Sequence, residues 1–249
     1  MSRYFLEISY KGTAYCGFQI QDTGATIQSE LTTALQTVFR EPFQLTGSSR
    51  TDAGVHALQN YFHCDTALAL TNRHIYSINA LLPKDIAIKS ITLVAPDAHA
   101  RFHALNRSYR YSIYRFKDPF LVETAWLYPF PISVQLLEAT AELLMEYTDF
   151  TSFSKRNSQV KTYNCQLVYS RWKEKDGLLM YEVRSNRFLR GMIRGLVATM
   201  LKVGRGTISL AEFRSIIEAK DCTRADFSAP AHGLCLMEVN YPVELLQKV

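Results

Sequence analysis

The chain opens on Tyr4-Phe5-Leu6-Glu7-Ile8-Ser9-Tyr10, where Tyr4, Leu6, Ile8 and Tyr10 fall at every second position. That is the period of a strand with one buried face. It is the first of a series whose order constrains the fold. Ile27, Leu31, Ala34, Leu35, Val38 and Phe39 recur at helical spacing behind Thr26, which is suited to cap a helix. Phe43 to Thr46 and Leu58 to Cys64 read as two strands. Asn72 to Leu82 reads as a helix with Ile75, Ile78 and Leu82 on one face and Pro83 stopping it, and Ile86 to Val94 as a β-branched strand. The order β-α-β-β-α-β is the ferredoxin-like arrangement, which RNA-recognition (RRM) modules share.

The second half repeats this scheme with longer parts. Ser108 to Arg115 alternates as a strand, and Val134 to Tyr147 is an amphipathic helix. Tyr163 to Trp172 and Leu178 to Ser185 read as strands around a turn at Lys173 to Gly177. Phe188 to Val203 and Leu210 to Ala219 read as helices, and Gly233 to Asn240 as a closing strand. The class expected is α+β, with two RRM-like or ferredoxin-like αβ halves over residues 1–104 and 105–249. Ala104 to Arg107 does not have the composition of a flexible linker, so the halves are expected to share one continuous, mainly antiparallel sheet with helices on one face.

A chain of 249 residues, 47% of them hydrophobic, can bury one large core or two smaller ones. No run of 18 apolar residues occurs, so no membrane span is expected. Met1-Ser2-Arg3-Tyr4 leads straight into a strand, without the pattern of a signal peptide. Cys16, Cys64, Cys165, Cys222 and Cys235 are scattered and include no Cys-x-x-Cys pair. This argues against a zinc site or disulfide framework and for a reducing cytoplasm. The six histidines show no ligand spacing, and His63 and His99 read as structural or surface residues.

Net charge is +5, and its placement carries more information than its size. From Arg184 to Ala211 there is no carboxylate, while Arg184, Arg187, Arg190, Arg194, Lys202 and Arg205 all fall there. Unbalanced arginine is a footprint for polyanions. Arg187, Arg190 and Arg194, three and four apart, are expected to share one helix face.

Two stretches could carry chemistry. In Ser48-Ser49-Arg50-Thr51-Asp52-Ala53-Gly54-Val55-His56-Ala57, a lone carboxylate lies between an arginine and a glycine, in a polar loop between strands. Such loops display functional groups on a rigid scaffold; the other reading is a hairpin loop whose Asp bonds its own backbone. Asp97-Ala98-His99-Ala100-Arg101-Phe102-His103-Ala104 runs into Arg107-Ser108-Tyr109-Arg110-Tyr111. Aromatics interleaved with arginine suit base stacking and phosphate contact, or equally cross-strand aromatic pairs. Asp22-Thr23-Gly24 spells the aspartic protease tripeptide without that family's apolar flanks.

Arg50 to Ala57 resembles the signature of the tRNA pseudouridine synthase A family. So do Tyr10-Lys11-Gly12-Thr13-Ala14-Tyr15-Cys16-Gly17-Phe18-Gln19, His99-Ala100-Arg101-Phe102 with Arg107-Ser108-Tyr109-Arg110-Tyr111, and Phe188 to Arg194. Asp149 to Phe153 and Ala229 to Leu234 add two further matches. The resemblance implies the pseudouridine synthase fold and a cofactor-independent, metal-free isomerisation of uridine in the anticodon stem-loop of tRNA, at nucleotides 38 to 40. It implies Asp52 as the catalytic carboxylate, Tyr109 as the active-site tyrosine and Arg194, with Arg50, as the partner cations. Arg187, Arg190, Arg101, Phe18 and Gln19 would contact substrate together with Tyr109. A homodimer is implied as well. Departures are Phe18 for the usual Trp, Ser49 for Gly before Arg50, Gly195 for Asn after Arg194, and Lys161 for Arg. Two other readings stay open: an RRM-like protein that binds RNA without modifying it, and a paralogue acting on another RNA.

Overall fold

The computed structural model describes residues 1–156 and 160–246. In chain order its elements are β1 (Ser2–Tyr10), α1 (Ile27–Phe39), β2 (Thr46–Gly47), β3 (His56–Thr66), α2 (Ile75–Leu81), β4 (Ile86–Val94), β5 (Asn106–Tyr114), β6 (Trp126–Leu127), α3 (Val134–Leu143), β7 (Leu167–Lys175), β8 (Leu178–Ser185), α4 (Met192–Gly204), α5 (Leu210–Glu218), β9 (Leu234–Asn240) and α6 (Val243–Leu246). The class is α+β with mainly antiparallel pairing, as the patterns predict. Two compact units are present: Met1–Arg107 with the chain from Cys235 onward, and Ser108–Leu234. Among the described residues no helix is long and apolar enough to cross a membrane.

In the first unit the strand order is β4-β1-β3-β9. β1 pairs antiparallel with both β3 and β4, so the alternation read from Tyr4 to Tyr10 lies in a strand hydrogen-bonded on both edges. Tyr4, Leu6, Ile8 and Tyr10 are all buried. β9 pairs parallel with β3 at His56↔Cys235 and Ala57↔Leu236, which brings the closing strand back into this unit. Thr26 caps α1: its hydroxyl accepts from the Ser29 amide while Ser29 Oγ accepts from the Thr26 amide. The stretch Phe43 to Thr46 is not the strand expected; only Thr46–Gly47 pairs with β3. Two contacts hold the rest to α1 instead. Gln28 Nε2 donates to the Leu45 carbonyl, and the Phe43 ring packs on Phe39.

In the second unit the order is β5-β8-β7, with β6 parallel to β5. β7 begins at Leu167 rather than Tyr163, because residues 163–165 bond elsewhere. Phe150 N donates to the Tyr163 carbonyl and Cys165 N to that of Thr148. β7 also runs on to Lys175, and the turn tightens to Asp176 and Gly177, both at positive φ. α4 is apolar almost all round, and every residue in it except Arg194 and Lys202 is buried, as an all-round apolar helix must be. Gly195, which departs from the family's Asn, faces Phe227: a Cβ there would lie 2.8 Å from the ring.

Candidate active site

The Asp52 loop is fixed by the backbone on both sides. Asp52 opens a turn closed by Val55 N on the Asp52 carbonyl, 3.2 Å. Gly54, at φ +80°, supplies the third position of that turn, which a side chain would strain. Asn60, buried on β3, holds the loop's other limb. Its Nδ2 donates to Ser49 O (2.8 Å) and to Tyr10 Oη (3.2 Å), and its Oδ1 accepts from Ser49 N (3.2 Å) and Tyr61 N (2.9 Å). Tyr10 Oη in turn meets Thr51 Oγ1 at 2.8 Å. The Tyr10 to Gln19 motif docks here through its main-chain amides. Phe18 N donates to Thr51 O, and Gly12 N donates to His56 Nδ1 at 3.0 Å. A Cβ on Gly12 would lie 2.0 Å from the Val55 carbonyl oxygen, so only glycine fits. Asp52 is left half-buried and Arg50 exposed, on a loop whose frame is rigid. Ser49 Oγ is buried and has no hydrogen-bond partner among the described residues.

The turn from Asp97 to Ala104 is held with equal completeness. Arg3 Nη1 donates to Ala98 O, the Tyr241 hydroxyl to Ala100 O (2.5 Å), and Arg107 to Arg101 O (2.7 Å) and Ala104 O (3.1 Å). Three histidines receive the turn's amides at Nδ1: His63 from Ala100, His99 from Arg101 and Phe102, and His103 from His99. That role requires neutral rings. Burial, its largest cause, pushes the His63 pKa down to about 4, and burial also lowers that of His99. Beside this turn lies a cleft of about 220 Å³, lined by Phe18, Gln19, Arg50, His99, Arg101 and Phe102 among others. The first unit therefore gathers Arg50, Arg101 and Gln19 at one opening. Phe18 lines it too, but is only 2% exposed and stacks on Phe62 at 4.4 Å, so the ring serves the core.

In the second unit Tyr109 lies on β5, 8% exposed, with its ring edge-on to Phe188 at 5.1 Å. Arg194 leaves the first turn of the buried α4, and its Nε donates to the Ala229 carbonyl at 2.6 Å. The neighbouring Pro230 carbonyl accepts from the Tyr111 hydroxyl at 2.8 Å. Burial, the largest cause, raises the Tyr111 pKa and keeps that hydroxyl a donor, against the opposite pull of Arg194. The Ala229 to Leu234 motif is thus a segment strapped down by Arg194 and the second tyrosine of the pair. The expected arginine face on one helix is corrected. Gly191 at φ +73° starts α4 at Met192, and the preceding main chain turns away to receive Lys155 N on Arg190 O. Arg187 and Arg190 stand in the connection from β8, and only Arg194 is helical.

Sequence reasoning missed Asn60, Tyr241, His103 and the tethering role of Arg107, while His63 and His99, read as structural or surface residues, accept backbone amides. Asn60 sits inside a strand pattern, where an isolated amide carries no periodic signal. The histidines lacked metal spacing because they hold backbone amides instead.

A family model described as tRNA pseudouridine synthase matches residues 142–242. The whole chain is similar to a protein named tRNA pseudouridine synthase A from Parabacteroides distasonis, with 41% identity covering 98% of each chain. A protein of that name from Porphyromonas gingivalis is 41% identical over 98% of this chain and 99% of its own. One from Staphylococcus saprophyticus is 35% identical over 98% and 93%.

Proposed function

This chain belongs to the tRNA pseudouridine synthase A family, and from that premise we propose that it is an isomerase, an intramolecular transferase converting uridine to pseudouridine in the anticodon stem-loop of tRNA, at nucleotides 38 to 40. The observation that carries the reading is the half-buried carboxylate of Asp52 on a loop locked by Asn60, Tyr10 and the Gly12 main chain, with exposed Arg50 beside it. An RNA binder that does no chemistry gains nothing from a preorganised acid among arginines facing phosphates.

The reaction breaks the C1′–N1 bond, turns the uracil and joins C1′ to C5. The C5 hydrogen leaves as a proton and N1 gains one, so no oxidant or reductant enters. Asp52 acts as the nucleophile or base that one ionised carboxylate can supply. The target base leaves its stack to reach it, at a cost of a few kcal/mol. By resemblance to the family, Arg50 and Arg194 serve as the active-site cations that fill the place the base vacates. Tyr109 lies against the base and its hydroxyl helps move the C5 proton. Arg101, Gln19, Arg187 and Arg190 contact the RNA, and two copies of the chain in the cytoplasm form the tRNA-binding unit. Resemblance to the family supports these last assignments.

The test is tritium release from unmodified tRNA carrying C5-labelled uridine, with the product located by chemical mapping. Release confined to the anticodon stem-loop supports the reading. Binding of that tRNA without release favours the non-catalytic binder, and release from another RNA favours a paralogue.

A further inference from the structure

Phe102 is 71% exposed, yet it stands on a turn whose backbone is held by Arg3, Tyr241, Arg107 and three histidines. Its own amide and that of Arg101 donate to His99 Nδ1, at 3.4 and 3.1 Å. The His99 ring packs against Phe102 at 4.2 Å and against His63 at 4.6 Å, on the buried side. Burial keeps His99 and His63 neutral, as amide acceptors must be. The Arg101 guanidinium lies 5.7 Å from the Phe102 ring centre. The cleft under this ring holds Arg50 and Arg101 and the amide of Gln19, and none of its lining residues is acidic. A mobile surface phenylalanine needs no such scaffold; a ring that receives a partner does, because ordering it beforehand lowers the entropy cost of binding.

A flat apolar ring, two guanidinium groups and an amide beside a cavity of about 220 Å³ match the parts of one nucleotide: base, phosphate and base edge. We propose that Phe102 is a stacking platform for an unpaired base of the bound RNA, with Arg101 neutralising the phosphate of that nucleotide. The proposal rests on the RNA-modifying reading above and adds to it a subsite for a base other than the one that reacts. His99 is then a positioning residue, holding Arg101 and Phe102 in place through its Nδ1.

The experiment compares wild type with Phe102→Ala and Phe102→Tyr, using an anticodon stem-loop RNA in which each unpaired loop base other than the target is replaced in turn by 2-aminopurine. Stacking on a ring contributes about 1–3 kcal/mol per base, so Phe102→Ala should raise Kd by roughly 5- to 150-fold. At saturating RNA its single-turnover rate should stay within about twofold of wild type, and Phe102→Tyr should bind like wild type. One loop position should show a fluorescence change on binding that Phe102→Ala abolishes and Phe102→Tyr restores. Equal Kd and equal fluorescence for wild type and Phe102→Ala would overturn the platform, as would a Kd that Phe102→Tyr fails to rescue. Failure of the enzymatic reading looks different: wild type would release no tritium, while the binding contrast among the three proteins persisted.

Discussion

Asn60 uses both amide protons and two positions on its oxygen to hold the Asp52 loop against β3. Asn60→Ala would leave Ser49 N and O and Tyr61 N buried without that partner. Each such group costs about 1–3 kcal/mol, so the variant should lose about 3 kcal/mol in urea unfolding. Turnover should fall as well, because the carboxylate loses its frame. A stability loss under about 1 kcal/mol would show that the loop holds without the amide. Tyr109 invites a different substitution. Tyr109→Phe keeps the ring against Phe188 and removes only the hydroxyl. Affinity for tRNA should stay near wild type and turnover should fall by roughly 100-fold. Unchanged turnover would confine Tyr109 to packing. Asp52, Tyr109 and Arg194 stand out in the sequence because they lie in motifs. Asn60 does not, since its importance lies in where four bonds go and not in any pattern of residues.

Among elements, α4 shows how far periodicity reaches. Its apolar run predicts a buried helix, and the helix is buried, with Arg194 and Lys202 as its two unburied positions. Its start was misread because Phe188 and Leu189 continue the apolar pattern, while Gly191 at positive φ breaks the helix before Met192. Phe43 to Thr46 was misread as a strand for a related reason: its backbone bonding is decided by Gln28, on a helix many residues earlier. The correction at Gly191 separates the three arginines. Arg187 and Arg190, in the connection, should act through charge alone. Replacing either by Ala should weaken tRNA binding and lower the salt slope of log K by about 0.7–0.9. Arg194, anchored to Ala229 O, should behave otherwise, with single-turnover rate falling far more than affinity on Arg194→Ala. Salt titrations beside single-turnover rates for the three variants check this. An Arg194→Ala variant that changes salt slope like the others and keeps its rate would make Arg194 a phosphate contact only.

The whole molecule's stability should register its neutral histidines. His63 has a folded pKa of about 4 against an ordinary 6.5, chiefly through burial. Between those values the unfolded chain binds a proton that the folded chain does not, so stability rises with pH across that window. The contribution is complete above about 6.5 and declines as pH falls toward 4. His99 and His232 are lowered in the same sense. Asp65, Asp149, Asp226 and Glu182 lie below the usual carboxylate range and act at more acid pH. The urea midpoint should therefore drop from pH 7 to pH 5, and drop less in His63→Gln; an equal drop in both would remove His63 from the account. The central claim, that this protein turns uridine over with Asp52 as its reacting group, is tested most directly by Asp52→Asn. The substitution keeps the side chain's shape and removes its charge. Single-turnover tritium release from C5-labelled tRNA should vanish while the Kd for that tRNA stays within a few-fold of wild type. Release within about tenfold of the wild-type rate would contradict the account.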